Sequence, residues 1–372
     1  MSVTNASSAG TFEGHRDAQP DADVLKSLHG QVFGDCNAAI GSLLVFMGDK
    51  LNLFRTLAQA GPLTSADLAQ RVGANERMLR EWLCAMAAAG YVGYESRSER
   101  FGLSPEQAIV FAGEGHPAFM QGPIDLIYSL FQDEPALRDA FHHGRGLQWG
   151  DHNACLFCAT ERFFGPLYRT SLLQEWLPAI PGLVEKLTAG ADVADVGCGL
   201  GTSALLMADA FPASRFVGFD SHGKSIEAAG EAAHAAGLNG RVRFERASAK
   251  EFAGQYDVIC YFDALHDMGD PVGAATHARA RLKPGGVVML VEPYAEDRLE
   301  DNLTSERAAV SRFFYAASTL ACVPGSQAQE GRLVLGAQAG RRRLQAVLEE
   351  AGFDKVRVAT ATAANLVLEA RA

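Results

Sequence analysis

The sequence has few of the features that mark secreted, membrane-spanning or nucleic-acid-binding proteins. Its seven cysteines are an odd number spread from Cys36 to Cys322, so they do not form the dense disulfide framework of a small secreted protein. The N-terminal stretch is polar and lacks the apolar core of a signal peptide, and no later window reaches the length of a membrane span. We therefore expect reduced thiols, a soluble cytoplasmic protein with no membrane partner, and a disordered segment over residues 1–29.

Positive charge is also scarce. The 33 basic side chains stand against 44 acidic ones, and the resulting formal charge of -11 disfavours non-specific attraction to nucleic acid or anionic membranes. A small-molecule partner fits this charge better. Hydrophobic residues, by contrast, make up 48% of the 372 residues, enough for more than one buried core. Length and composition together predict two or three domains.

The first structured region is predicted to be mainly helical. Apolar residues at helical spacing indicate a long or broken helix over residues 30–58. Ser65 and Asn75 are suited to cap two short helices, and Gly73 separates them. The stretch YVGYESRSERFGL that follows has the pattern of a β-hairpin. Helix, turn, helix and hairpin together predict a winged-helix domain over residues 30–112.

A winged helix can bind DNA or make a protein contact, and its charge helps to separate the two roles. Seven acidic residues balance seven basic ones between Cys36 and Ala112, and Glu76 and Glu81 lie on the helix that would enter a DNA groove. We therefore predict a homodimer contact rather than DNA binding. A transcriptional regulator that senses a cofactor and binds DNA through this domain is the alternative.

Aromatic residues and helical patterns dominate residues 113–187, which we interpret as a linker and substrate lid. Some of these rings are expected to line a site, although for each ring alone packing between domains is the simpler interpretation. They are Phe119, Phe131, Trp149, Phe157, Phe163, Phe164, Tyr168 and Trp176.

Strand-like and helical runs alternate through most of residues 188–372. This alternation predicts an α/β domain with a doubly wound parallel sheet and helices on both faces. Two final runs, KVRVATA and NLVLEAR, are close enough to pair as an antiparallel hairpin at the sheet edge.

A glycine-rich loop, DVGCGLG, follows the first strand of this domain. Gly197, Gly199 and Gly201 allow a tight turn and a close approach of a ligand, while the helix that begins near Thr202 offers unpaired N–H groups to a carboxylate. Asp195 supplies an acid close to a cationic amine. A dinucleotide site would have a third glycine where this chain has Thr202.

This loop resembles that of class I S-adenosylmethionine-dependent methyltransferases. The resemblance implies a seven-stranded Rossmann-like sheet and S-adenosyl-L-methionine as cofactor, with S-adenosyl-L-homocysteine as product. Asp220, at the end of the strand FVGFD, is then in position to accept hydrogen bonds from the ribose hydroxyls. Ser248 and Ala249 fall where family members place residues against adenine, and Asp263 is assigned to the cofactor site.

The stretch DALHDMGDP after a later strand resembles the HDW region of small-molecule O-methyltransferases with a winged-helix dimerisation domain, especially bacterial and actinobacterial ones. His266 matches their catalytic base, and we add Asp267 to the catalytic group. Glu292 matches the acid that orients the imidazole. The resemblance implies methylation of a hydroxyl on a small-molecule acceptor, with aromatic compounds among the candidates. Transfer to nitrogen, carbon or sulfur, or non-methyl chemistry on the same fold, is the alternative.

Two further groups of residues are assigned no chemistry. Asp270 precedes Pro271 and a helical run, which makes it a good helix cap. Cys155 and Cys158 form a lone CxxC with no second pair, so we predict no metal site.

Overall fold

The computed structural model describes residues 19–372. Its first helix begins at Ala22, eight residues before the predicted start of order at residue 30. Asp21 explains the earlier start, because its side chain accepts hydrogen bonds from the backbone N–H groups of Asp23 and Val24 at 2.8 and 3.1 Å. The rest of the predicted disordered segment, residues 1–18, lies outside the described residues.

The N-terminal region is a winged helix, as predicted. The first long helix breaks at Asn52, which has a left-handed backbone. Gly73 and Asn75 end and begin the predicted short helices, but Thr64 rather than Ser65 caps the first, in a capping box with Asp67. The elements are α1 Ala22–Lys50, α2 Leu53–Ala60, α3 Ser65–Val72, α4 Glu76–Ala88, β1 Gly93–Glu95, β2 Arg100–Gly102 and α5 Pro105–Ala112.

A second helical layer connects the winged helix to the sheet. Arg162 on α8 (Cys155–Ser171) joins this helical layer to the winged helix. Its guanidinium forms ion pairs with Asp49 at 2.6 Å, with Glu114 at 2.7 Å and with Asp125 at 2.8 Å. Charges from three segments thus meet on one side chain. The elements are α6 Gln121–Gln132, α7 Glu134–His143, a 3-10 turn at Trp149–Asp151, α8 Cys155–Ser171, a π-helical turn at Leu172–Trp176 and α9 Leu183–Ala189.

Among residues 19–372 the first half of α1 has one ion pair, between Asp35 and Arg312 at 3.2 Å, and its apolar side chains are not covered. Every residue from 22 to 40 is exposed, whereas the second half of the helix packs against α2, α4 and α6. By length and composition α1 is also apolar enough to cross a membrane, which corrects the expectation that no window has that length. Its large exposed apolar residues are Val24, Leu25, Leu28, Val32, Phe33, Ile40, Leu43 and Met47.

The C-terminal region is built on a seven-stranded sheet in the order β5-β4-β3-β6-β7-β9-β8, which confirms the predicted fold class. The first five strands are parallel, and β9 and β8 form the predicted antiparallel hairpin at the edge. The strands are β3 Asp192–Val196, β4 Arg215–Asp220, β5 Val242–Arg246, β6 Tyr256–Phe262, β7 Leu282–Pro293, β8 Lys355–Ala361 and β9 Asn365–Arg371.

Helices cover both faces of the sheet and bury its central strands almost completely. From β3 the chain moves outward to β4 and β5 and then returns to place β6 on the other side of β3. Such a reversal opens a crevice at the carboxyl ends of β3 and β6. The helices are α10 Thr202–Ala210, α11 Gly223–Ala235, α12 Pro271–Arg281, α13 Leu299–Thr304, α14 Ala308–Leu320, α15 Cys322–Gln327 and α16 Gly340–Glu350.

Candidate active site

A cavity of about 630 Å³ lies at this crevice, between the carboxyl ends of the strands and the helix α8. Five of the eight predicted aromatic rings line it, whereas Phe119 and Trp176 are buried in cores and Phe131 is exposed. The cavity therefore has a polar floor and an aromatic roof. The lining rings are Trp149, Phe157, Phe163, Phe164 and Tyr168.

The glycine loop forms one wall. Gly197 and Gly199 line the cavity, and a Cβ built on Gly199 would meet no atom within 4 Å, so its backbone faces open space. Gly201 lies behind the wall. Its φ is +83° and a Cβ there would lie 2.5 Å from the ring of Phe244, so this glycine is required for packing rather than for contact with a ligand.

Asp195 is not part of the cavity wall. Its carboxylate is 1% exposed and accepts a hydrogen bond from the Ser203 hydroxyl at 2.5 Å, behind the loop at the start of α10. Burial raises the pKa of Asp195 to about 7, and the Ser203 hydrogen bond opposes that rise. The side chain faces α10, and its other oxygen has no hydrogen-bond partner among residues 19–372, so the position beside a ligand amine stays a prediction.

Asp220, Ser248 and Ala249 do line the cavity, in one group on its β4–β5 side. The carboxylate of Asp220 accepts hydrogen bonds from the backbone N–H groups of His222 at 2.8 Å and Gly199 at 3.0 Å. Burial raises the pKa of Asp220, and these backbone hydrogen bonds oppose the rise. Asp220 thus holds the glycine loop against the end of β4, and its side chain still lines the cavity.

Asp263 lies at the end of β6 in a left-handed conformation, with φ of +49°. Its carboxylate accepts hydrogen bonds from the Tyr168 hydroxyl at 3.0 Å and from the Asn365 amide at 2.8 Å. Burial and the nearby charge of Glu292 raise the pKa of Asp263 to about 8. A non-glycine residue in this strained backbone region, held by two partners, turns the carboxylate toward the cavity.

The predicted catalytic group is assembled around His266. Glu292 is fully buried behind it, and one of its carboxylate oxygens is hydrogen-bonded to the ring Nδ1 of His266. The other oxygen accepts hydrogen bonds from the backbone N–H groups of Leu265 and His266 at 2.9 and 3.3 Å. His266 and Asp267 line the cavity, and Nε2 of His266 is 3.2 Å from the Asp267 carboxylate. Both ring nitrogens therefore face carboxylates.

This arrangement favours the charged imidazole. Burial lowers the pKa of His266, but the charges of Asp267 and then Glu292 outweigh it and raise that pKa well above the usual value. The Cys322 thiol lies in the same group, and the ligand atoms of His266, Asp267 and Cys322 are within 4.8 Å of one another. Burial and the Asp267 charge raise the pKa of Cys322 to about 11, so the thiol stays protonated.

The sequence interpretation missed three residues of the site. They are Glu161 from α8, Cys322 from α15 and Asn365 from β9. Nothing in the local pattern around these three distinguishes them, and Tyr168 was named only as one ring among several. Only the proximity of distant segments in the fold reveals them.

Comparison with known proteins agrees with this geometry. Residues 187–352 match the methyltransferase domain family, and residues 38–112 match the Rv2258c-like winged HTH domain. Residues 38–112 thus resemble a winged helix-turn-helix domain, and residues 187–352 resemble a methyltransferase domain. Over 181 residues the chain is 32% identical to the 27-O-demethylrifamycin SV methyltransferase of Amycolatopsis mediterranei, a match that covers 48% of the chain and 56% of that protein. The chain thus spans about half of the length of the curated relatives it matches.

Solved structures share the whole architecture of this chain. An O-methyltransferase family protein from Burkholderia thailandensis superposes with a TM-score of 0.69 at 18% identity, over 95% of this chain and 98% of the other. Human N-acetylserotonin methyltransferase, solved with S-adenosylmethionine, gives a TM-score of 0.65 at 18% identity, over 95% and 99%. At this identity the likeness establishes the fold, including both domains.

Proposed function

We propose that this protein is a methyltransferase that binds S-adenosyl-L-methionine and methylates a hydroxyl group of a small molecule. The observation that carries the proposal is His266, held by Glu292 at the wall of a cavity that also contains the glycine loop and Asp220. The neighbouring human enzyme binds the same cofactor. Bound S-adenosylmethionine supplies a methyl group on a positively charged sulfur.

The residues present fit this cofactor. The cavity of about 630 Å³ has room for it beside a small acceptor, and the raised pKa of Asp263 reflects a buried acid without a cation of its own. The backbone at Gly199 and the N-terminus of α10 would hold the methionine carboxylate, and Asp220 would accept the ribose hydroxyls. Ser248 and Ala249 would contact adenine.

His266 would accept the proton of the acceptor hydroxyl through Nε2, because Nδ1 is already occupied by Glu292. Its raised pKa means that the base must first lose the proton that Asp267 and Glu292 stabilise. Asp267, 3.2 Å from Nε2, therefore sets how readily the base becomes available. The aromatic roof supports an apolar or ring-bearing acceptor.

Calorimetric titration with S-adenosylmethionine and S-adenosylhomocysteine tests the proposal. We expect both to bind, Asp220→Ala to weaken both, and NAD not to bind. Absence of binding to the wild-type protein would reject the cofactor assignment and favour the regulator or a scaffold role. If the cofactor binds, phenols and other hydroxyl acceptors are the first compounds to screen.

We also propose that the exposed half of α1 packs against a second copy of the chain. A helical segment about 28 Å long is marginal in water without a partner for its apolar side chains. Residues 22–40 also carry Asp23, Lys26 and Asp35, which a bilayer interior would penalise. The observations thus favour a homodimer in the cytoplasm over a membrane anchor.

Light scattering at working concentration tests this assembly. We expect the mass of a dimer for the wild type and of a monomer for the double variant Phe33→Glu, Ile40→Glu, since both side chains are more than 60% exposed in the single chain. A monomeric wild type would reject the dimer. Binding of the wild type to lipid vesicles, lost in the same variant, would favour the membrane instead.

A further inference from the structure

Glu161, on α8, reaches the glycine loop from the roof of the cavity. It lines the cavity together with Gly199, and its Oε1 accepts a hydrogen bond from the Thr202 hydroxyl at 2.5 Å. Burial raises the pKa of Glu161, while the Thr202 hydrogen bond and the charge of Arg169 oppose that rise. An acid from the helical layer thus lies at the first residue of α10.

The carboxylate of Glu161 lacks a cation of its own. Among residues 19–372 no basic side chain forms an ion pair with it, and its Oε2 accepts no hydrogen bond. A partly buried carboxylate is stabilised by a cation or by several donors. Because Glu161 lines the cavity, a cationic group of a bound ligand would supply that partner.

Among residues 19–372, the other acids near the loop are less suited to bind a cation in the cavity. Asp195 has one oxygen without a partner, but this oxygen is buried and Asp195 does not line the cavity. Each oxygen of Asp263 already accepts a hydrogen bond, one from Tyr168 and one from Asn365. Glu161 is therefore the acid with an oxygen left for a ligand next to the helix N-terminus.

Gly165 lies next to this carboxylate on α8. A Cβ at Gly165 would lie 2.9 Å from Oε1 of Glu161 and 3.0 Å from Nη2 of Arg169. Both atoms are the ends of flexible side chains that can move aside, so glycine is not required here. Its lack of a side chain lets the carboxylate lie close to the helix.

We propose that Glu161 binds the α-ammonium group of S-adenosylmethionine, an inference that rests on the proposed function. The carboxylate of the cofactor's amino acid and its ammonium group are separated by one carbon. The N-terminus of α10 offers N–H groups for the former, and Glu161 at Thr202 offers a carboxylate for the latter. The two ends of one small zwitterion thus meet complementary charges.

Calorimetry with three ligands isolates this contact. S-adenosylhomocysteine has the ammonium group, its deamino analogue keeps only the carboxylate, and 5′-methylthioadenosine lacks both. We expect Glu161→Gln to weaken S-adenosylhomocysteine about tenfold to hundredfold, as for loss of a charge-assisted hydrogen bond. Binding of the other two ligands should change less than about threefold on the same scale.

The comparison separates the possible failures. If the wild type binds none of the three ligands, the proposed function itself fails. If it binds them but Glu161→Gln weakens all three equally, or none, the ammonium contact is wrong.

Two controls accompany this comparison. Methylthioadenosine binding and the melting temperature report whether the variant is folded. Glu175→Gln, at an exposed acid just after the same helix, serves as the matched control. Glu161→Asp should weaken only S-adenosylhomocysteine as well, by less than Glu161→Gln.

Discussion

The two ends of this protein, the cavity and the winged helix, differ in where they place charge and apolar surface. At the cavity, Asp263 and Glu161 are acids with raised pKa and no ion pair among residues 19–372. In the winged helix the charges on α4 are exposed and paired within one helix, while apolar side chains of α1 project into solvent. Buried charge without a partner indicates a missing cationic ligand, whereas exposed apolar surface indicates a missing protein partner.

The largest effect on activity is expected for the loss of His266, which lies among the acids of the cavity. His266→Ala should lower turnover roughly a hundredfold to ten-thousandfold, because general base catalysis commonly contributes that much. Cofactor affinity should be nearly unchanged, since Nδ1 is turned to Glu292 and not to the cofactor wall. Steady-state rates with an accepted hydroxyl substrate, together with calorimetry, measure the two quantities.

Two results would revise the role of His266. Unchanged turnover would show that the acceptor arrives already deprotonated or that the acceptor atom needs no base, and would favour nitrogen or sulfur as the methyl acceptor. A parallel loss of cofactor affinity would show that the imidazole only shapes the cavity. His277→Ala is a suitable control, because this histidine hydrogen-bonds the Phe252 carbonyl away from the cavity.

These residues differ in how far the sequence could predict them. Asp220 and His266 follow strands whose carboxyl ends must meet, so a local pattern and one topological rule were enough. Asp195 was predicted from its proximity to the glycine loop in sequence, which does not fix which face of the strand its side chain occupies. Asn365 lies 102 positions from Asp263, and the contact between them depends on how β9 inserts beside β7.

A smaller effect on activity is expected for Asp267→Asn. This variant tests whether the charge of Asp267 controls the pKa of His266. Activity requires neutral His266 and therefore rises as pH increases through its raised pKa. Burial lowers that pKa and Asp267 is the main charge that raises it, so removing the charge should move the rise in kcat/KM to lower pH. The plateau rate should fall about tenfold or less, because the weaker base remains in place.

The stability of the same variant provides an independent readout. A histidine whose pKa is raised by folding stabilises the protein below its unfolded value near 6.5 and loses that contribution as pH rises through the folded value. Thermal melts should therefore show a smaller decline with increasing pH for Asp267→Asn than for the wild type. A pH profile identical to that of the wild type in both measurements would show that Asp267 does not act on His266.

The smallest effect, no detectable complex, is expected when the winged helix is offered DNA. Arg77 pairs with Glu81 at 2.6 Å and Arg80 with Glu76 at 2.8 Å, so the basic side chains of α4 are already neutralised on the surface that would enter a groove. A mobility-shift assay with genomic fragments at about 150 mM salt should show no retained band. A shift that persists at this salt and disappears in Arg77→Ala would show that the winged helix binds its partner through charge and not through apolar surface. The cofactor site would in that case act as a sensor for a DNA-binding protein.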